Sequence, residues 1–79
     1  MKGRIDRYPT GYGYSVFVHD KLLIKQAFVP AVDQPVRFCD STDAWAVCEL
    51  VVRKLRHNQP PAVSRAEIDS LKVKITCQN

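Results

Sequence analysis

The sequence predicts an α+β fold, in which one long helix packs on a three-stranded antiparallel sheet and a short C-terminal helix follows. Two adjacent β-favouring runs precede residue 30, and residues 41–57 carry apolar side chains at helical spacing on one face. That face must lie against something apolar, and the β-rich segment before it is the partner available within the chain. A length of 79 residues is enough for one hydrophobic core.

The first two strands are predicted to form a hairpin. They cover residues 14–19 and 22–29, which are rich in β-branched, aliphatic and aromatic side chains, with the turn at Asp20-Lys21. Alternate residues of a strand share a face, so the first strand should direct one set toward the helix, namely Tyr14, Val16 and Val18. The second strand is apolar on both faces. Either another element covers its outer face, or that surface binds a partner.

A short third strand is predicted at Val36–Phe38, after a loop bracketed by two prolines. The long helix, Ser41–His57, should then begin at Asp40, whose carboxylate can accept from the free N–H groups of the first turn. Its apolar stripe consists of Ala44, Val47, Cys48, Val51 and Leu55.

The C-terminal part contains a capping-box pattern, Ser64 to Glu67, which predicts a short helix through Leu71. Residues 72–76 alternate like an edge strand, and a frayed terminus is the alternative. The predicted organisation is therefore an N-terminal lead at 1–10, ordered or disordered, a single α+β domain at 11–71, and a tail or edge strand at 72–79.

Residue chemistry predicts no enzyme, no cofactor and no metal site. Gly11-Tyr12-Gly13 precedes a strand and lacks the Gly-Lys-Ser/Thr ending of a phosphate loop. The two histidines, His19 and His57, are far apart in sequence without a carboxylate arranged as a third ligand. The carboxylates are scattered, so no pair is placed for acid–base work.

The cysteines are three in number and include no C-x-x-C pair, so a disulfide framework is not expected. Cys48 lies on the apolar face of the helix and is interpreted as a small buried hydrophobe. Cys39 stands at the start of the helix, where a reactive thiol is the minority alternative. Cys77 lies in the tail, and the redox states of all three are left open.

The net charge of +4 comes from basic residues spread along the chain. The largest local group lies in the last turns of the long helix, where cations interact favourably with the helix macrodipole, and comprises Arg53, Lys54, Arg56 and His57. No run of apolar residues approaches the length of a membrane span, and the N-terminus lacks the apolar core of a signal peptide.

Trp45 lies one position off the apolar stripe of the long helix. A small core needs large side chains, so the favoured prediction is that Trp45 is buried and widens that stripe. If Trp45 is exposed instead, it marks with Val52 the surface for a protein partner or for self-association.

A set of segments resembles the domain of unknown function 4907, a family of small Bacteroidetes proteins. These segments are residues 13–26, Val29-Pro30-Ala31, Phe38, Ala44, residues 50–55, Pro60-Pro61 and residues 64–71. The resemblance implies a cell-envelope setting, because family members typically begin with an export or lipoprotein signal, and it assigns no catalytic residues. Without such a signal the expected location is the cytoplasm. Lys25, Gln26 and residues 29–31 are candidates for a family surface feature, with strand-exit geometry as the alternative.

The leading functional hypothesis is a non-enzymatic interaction module with a protein partner or a second copy of itself, as in a dimer. The candidate interaction residues are Trp45, Val52, Lys25, Gln26 and Phe17. The alternative is a nucleic-acid-binding module that uses the sheet, which rests on the net charge, the element order and three cations, Lys21, Lys25 and Arg37. Duplex binding of that kind should weaken with salt, with a log–log slope of about −0.9 per phosphate contact.

Overall fold

The computed structural model describes residues 1–75, which fold into a three-stranded antiparallel sheet and two helices. The strands are β1 (Lys2–Tyr8), β2 (Gly11–Val18) and β3 (Lys21–Gln26), and the helices are α1 (Ser41–Arg56) and α2 (Arg65–Ser70). The sheet order is β1-β2-β3, so β2 is central, and α1 packs across β1 and β2. The α+β class predicted from the sequence is confirmed. Neither helix is long and apolar enough to cross a bilayer.

The strand that completes the sheet is β1, and the prediction of an N-terminal lead at 1–10 is wrong. β1 pairs with β2 in a regular register from Lys2↔Phe17 to Tyr8↔Gly11. Its sequence, Lys-Gly-Arg-Ile-Asp-Arg-Tyr, gives little strand signal because Ile5 is its one aliphatic side chain. Pairing with the central strand supplies its hydrogen bonds, and Ile5 packs against the core.

The predicted third strand at Val36–Phe38 is also wrong. Within this segment, Phe38 forms an isolated bridge with Tyr12, with N···O distances of 2.9 and 3.0 Å. Its side chain is fully buried and its ring centroid lies 6.0 Å from that of Tyr14. The segment therefore delivers a core aromatic at the end of the sheet instead of extending the sheet.

The β2–β3 hairpin is confirmed, with its turn one residue earlier than predicted. His19 and Asp20 occupy the turn with φ of 51° and 64°. Two successive positive φ angles match the right-handed twist of the flanking strands. β3 ends at Gln26, because the Gln26 side chain donates from Nε2 to the Phe28 carbonyl oxygen at 2.7 Å and the chain leaves the sheet there.

The core lies between the sheet and α1. On β2, Tyr14 and Val16 are buried against the helix as predicted, and Val18 at the strand end is half-buried. The predicted stripe of α1 is likewise buried, with Leu55 half-buried, and the remaining buried apolar residues are Val29, Phe38 and Ile68.

The start of α1 is held differently from the prediction. Asp40 is the N-cap residue, but its side chain accepts no hydrogen bond from the first turn. It pairs instead with Lys74, whose Nζ lies 2.8 Å from Asp40 Oδ2, and the Lys74 N–H donates to Asp43 Oδ2 at 3.1 Å. The C-terminal segment thus occupies both carboxylates, which raises the pKa of Lys74 chiefly through the hydrogen bond from Asp40. Residues 72–75 form no strand, and the rest of the predicted tail, with Cys77, lies outside the described residues.

The capping box of α2 is confirmed. The N–H of Glu67 donates to Ser64 Oγ at 3.2 Å, and the N–H of Ser64 donates to Glu67 Oε1 at 3.0 Å. Lys54 of α1 donates to the same Glu67 oxygen at 2.7 Å, and Ile68 is fully buried. Glu67 therefore both caps α2 and ties it to α1.

Glu67→Gln should reduce stability at neutral pH and flatten its dependence on acid. The hydrogen bond from Lys54, then that from the Ser64 backbone, lowers the pKa of Glu67 from its ordinary value of 4.5. A carboxyl group with a lowered folded-state pKa adds stability above its unfolded pKa and loses it as the pH falls through the folded-state value. Urea midpoints at neutral pH and at about pH 3 measure this. Asp69→Asn, which breaks an exposed pair with Arg65, is the control. Parallel pH curves for wild type and Glu67→Gln would contradict the expectation.

Candidate interaction surface

The Trp45 groove is a depression between the start of β1 and one side of α1. Its volume is about 660 Å³, and the residues that define it here are Met1, Lys2, Gly3, Trp45, Glu49, Val52, Arg53 and Arg56. Trp45 is 43% exposed and Met1 is 45% exposed, while Val52 is half-buried. The predicted burial of Trp45 is therefore wrong. The structure places Trp45 and Val52 together, as the conditional prediction for an exposed tryptophan requires.

Gly3 explains how the groove forms. A Cβ atom at Gly3 would lie 2.6 Å from Cys48 Sγ and 3.6 Å from a ring atom of Trp45. The absence of a side chain at this position allows α1 to approach β1 closely through Cys48. Trp45, one residue off the buried stripe, then lies toward the start of β1 instead of under the sheet.

The rim of the Trp45 groove is cationic. Lys2, Arg53 and Arg56 are exposed, and Glu49 is the acidic residue among the lining residues. The ion pairs among residues 1–75 are Arg4–Asp6, Lys54–Glu67, Arg65–Asp69 and Lys74–Asp40, so none of the three rim cations is paired. Arg53 and Arg56 also complement the macrodipole of α1, as predicted, but their charges remain available to a partner.

The outer edge of β1 borders the Trp45 groove. Within residues 1–75, β1 pairs with β2 and with no other strand. Its pairing runs over seven residues without a register shift. The other edge strand, β3, is irregular, with a shift between the partners of Val16 and Phe17. A regular edge with unpaired backbone groups is a template for another extended chain.

Two more of the predicted interaction residues, Phe17 and Lys25, lie on the opposite face of the sheet. The register shift in β3 lies beside Phe17, whose partner is Leu22, and Leu23 is left out of the pairing. Leu22 and Leu23 are 54% and 53% exposed, and no element among residues 1–75 covers them. The Arg4 guanidinium lies 4.8 Å from the centroid of the Phe17 ring.

Gln26 belongs to neither surface. It pairs with Tyr14 on the helix side of the sheet, is half-buried, and bonds the backbone beyond β3. Val29, next in the proposed family feature, is buried and its N–H donates to the Val36 carbonyl at 2.7 Å. These contacts favour the strand-exit interpretation of this segment over a surface role.

Arg37 occupies a site that the sequence did not indicate. Its guanidinium lies 3.9 Å from the centroid of the Tyr8 ring and 4.7 Å from that of Phe28. It also donates to Thr10 Oγ1 at 2.9 Å and to the Ala27 carbonyl at 3.0 Å. Arg37 therefore joins β1 to the loop after β3. No spacing rule links these positions in sequence.

The cysteines differ in state. Cys48 is buried and free, and burial, opposed by a hydrogen bond from the Arg4 backbone, raises the pKa of its thiol to about 11. It is therefore protonated at neutral pH and packs as the predicted small hydrophobe. Cys39 is disulfide-bonded, so the expectation that the chain uses no disulfide, and the alternative of a reactive thiol there, are both wrong. Among residues 1–75, no group of three His, Cys, Asp or Glu side chains could hold a metal ion.

One family matches this chain, over residues 5–70, and its description is "Domain of unknown function (DUF4907)". The chain belongs to the DUF4907 family. No curated protein and no solved structure matches it. The matched range begins inside β1, so the DUF4907 domain includes most of the strand that the sequence interpretation had placed outside the domain. It also includes the α1 side of the Trp45 groove.

Proposed function

We propose that this DUF4907 domain is a non-enzymatic interaction module that binds a protein partner through the Trp45 groove. The observation that carries the proposal is a tryptophan left 43% exposed between an unpaired sheet edge and three unpaired cations. Tryptophan and arginine dominate the binding energy of protein interfaces when they lie together in a depression. A domain of this size would otherwise use such a side chain in its core.

The proposed location of the module is the cell envelope. Disulfide-bonded Cys39 supports it, because disulfides persist in oxidising compartments and are rare in the cytoplasm. Fractionation of cells followed by immunodetection tests the location. Recovery of the protein with the cytoplasmic fraction would contradict it.

Site-specific photo-crosslinking in the native cell tests the interaction. A benzoylphenylalanine in place of Val52, which lines the groove, should give a discrete crosslinked product. Trp45→Ala should abolish that product, with little effect on folding because much of the indole is already exposed. The matched control carries the crosslinker at Leu23 on the opposite face, and its products should not depend on Trp45. The proposal fails if position 52 gives no product, or the same products as position 23.

Nucleic-acid binding by the open face of the sheet remains the second candidate. Lys25 and Phe17 on that face favour it, whereas Arg37 and Arg4 are already engaged by aromatic rings and by Asp6. Fluorescence anisotropy with a labelled DNA duplex decides between the two. Binding that falls steeply with salt and weakens in Lys25→Ala supports this candidate, and no binding at low salt eliminates it.

A further inference from the structure

The partner chemistry of the Trp45 groove can be taken one step further, in an inference that rests on the proposed function. We propose that the groove takes an acidic segment in extended conformation. This segment adds to the outer edge of β1 as a fourth strand and places its apolar side chains against Trp45 and Val52.

The geometry of β1 carries the first step. A fourth strand would lie about 4.8 Å outside β1, and every second side chain would point to the α1 side of the sheet. At Gly3 the strand itself has no side chain, so the neighbouring space on that side is bounded by Trp45. Strand addition supplies backbone hydrogen bonds, while pockets for alternate side chains supply specificity.

Charge carries the second step. The groove presents Lys2, Arg53 and Arg56 against Glu49, and β1 adds exposed Arg4 and Arg7 along the same edge. Complementary charge speeds association and excludes partners of the same sign. An acidic segment therefore suits this edge better than a neutral or basic one.

A second copy of this chain is the competing occupant. Antiparallel pairing of two β1 strands centred on Ile5 would place Arg4 opposite Asp6. It would also bring another chain of net charge +4 to a rim that is already cationic. Charge thus favours the acidic segment over the dimer.

The experiment uses the full chain and synthetic probes. A fluorescent peptide of alternating valine and glutamate, about as long as β1, is compared with its valine–lysine counterpart. A third peptide has the first sequence with backbone N-methylation along one edge. We expect the acidic peptide to bind and to shift the amide NMR signals of residues 2–8. Reversing the charge of the peptide, or methylating its backbone, should weaken binding about tenfold.

Two protein variants complete the test. Arg53→Glu should weaken binding of the acidic peptide about fivefold, the range expected for one exposed ion pair. Arg65→Glu, an exposed charge change on α2, should leave it unchanged.

The possible results separate the claims. Equal binding of both charged peptides overturns the acidic specificity, and an N-methylated peptide that binds as well as the parent overturns strand addition. In both cases the crosslink from position 52 still supports the proposed function. A dimer in sedimentation that is lost in Arg4→Glu and restored by mixing Arg4→Glu with Asp6→Lys assigns the edge to a second copy and overturns the inference. Loss of both the peptide binding and the crosslink ends the proposed function itself.

Discussion

Phe38→Ala is expected to lower the free energy of unfolding by about 3–5 kcal/mol. Phe38 is fully buried and tilts against the Tyr14 ring, and its backbone bridges Tyr12 at the end of β2. Removing the ring leaves a cavity that neighbours from the sheet and from α1 cannot fill. Small domains have a total stability of about 5–15 kcal/mol, so this loss should leave a large unfolded fraction.

Urea unfolding followed by circular dichroism measures the loss. Phe38→Leu keeps most of the volume and should cost about 1–2 kcal/mol, so the effect can be measured even if the alanine variant does not fold. Leu23→Ala is the matched control on the exposed face, where a change of about 0.5 kcal/mol or less is expected. Equal losses for Phe38→Ala and Leu23→Ala would contradict this account of the core.

Gly3→Ala is expected to cost about 1–3 kcal/mol through overpacking. Its Cβ would lie 2.6 Å from Cys48 Sγ, and Cys48 is 1% exposed, so the sulfur has little room to move. Either α1 moves away from β1, or β1 shifts along its edge. Both movements change the Trp45 groove, so the tryptophan emission maximum should shift together with the stability.

A double-mutant cycle identifies the sulfur as the cause. Cys48→Ala alone creates a small cavity, whereas in the Gly3→Ala background it relieves the contact. The double variant should therefore be more stable than the sum of the two single losses predicts. Additive losses would show that the contact between Gly3 and Cys48 does not determine how closely α1 lies to β1.

Local sequence signals predicted the helical part of the fold well. The stripe from Ala44 to Val51 is buried because a repeat of three and four residues defines one helix face regardless of its partner. The capping box at Ser64 and Glu67 formed because both of its hydrogen bonds lie within one turn. Neither feature depends on distant parts of the chain.

Signals that depend on a distant partner were misjudged. β1 has a polar sequence, and it is a strand because β2 lies beside it and Ile5 contacts the core. Asp40 looks like a side-chain cap in sequence, but Lys74 binds its carboxylate instead. In both cases the deciding contact comes from residues too far along the chain for a local pattern to register.

The candidate surface follows the same division. Single residues could be selected from the sequence, but their grouping could not. Trp45 and Val52 share a groove with Gly3 and Lys2, whereas Phe17 and Lys25 lie on the other face and Gln26 serves the exit of β3. The exposure of Trp45 depends on how closely α1 approaches Gly3, which is a distance between two elements.

By itself, the sequence determined the class of the fold, the course of α1, the capped start of α2 and the side of β2 that faces the helix. Periodicity and capping act within a few residues, so they are readable along the chain. Only the tertiary structure decided which segment completes the sheet, which aromatic side chain stays exposed, and which cations share a groove with it. Those outcomes depend on the packing of elements that are remote in sequence, where a missing side chain at Gly3 or a competing cation at Lys74 changes the result.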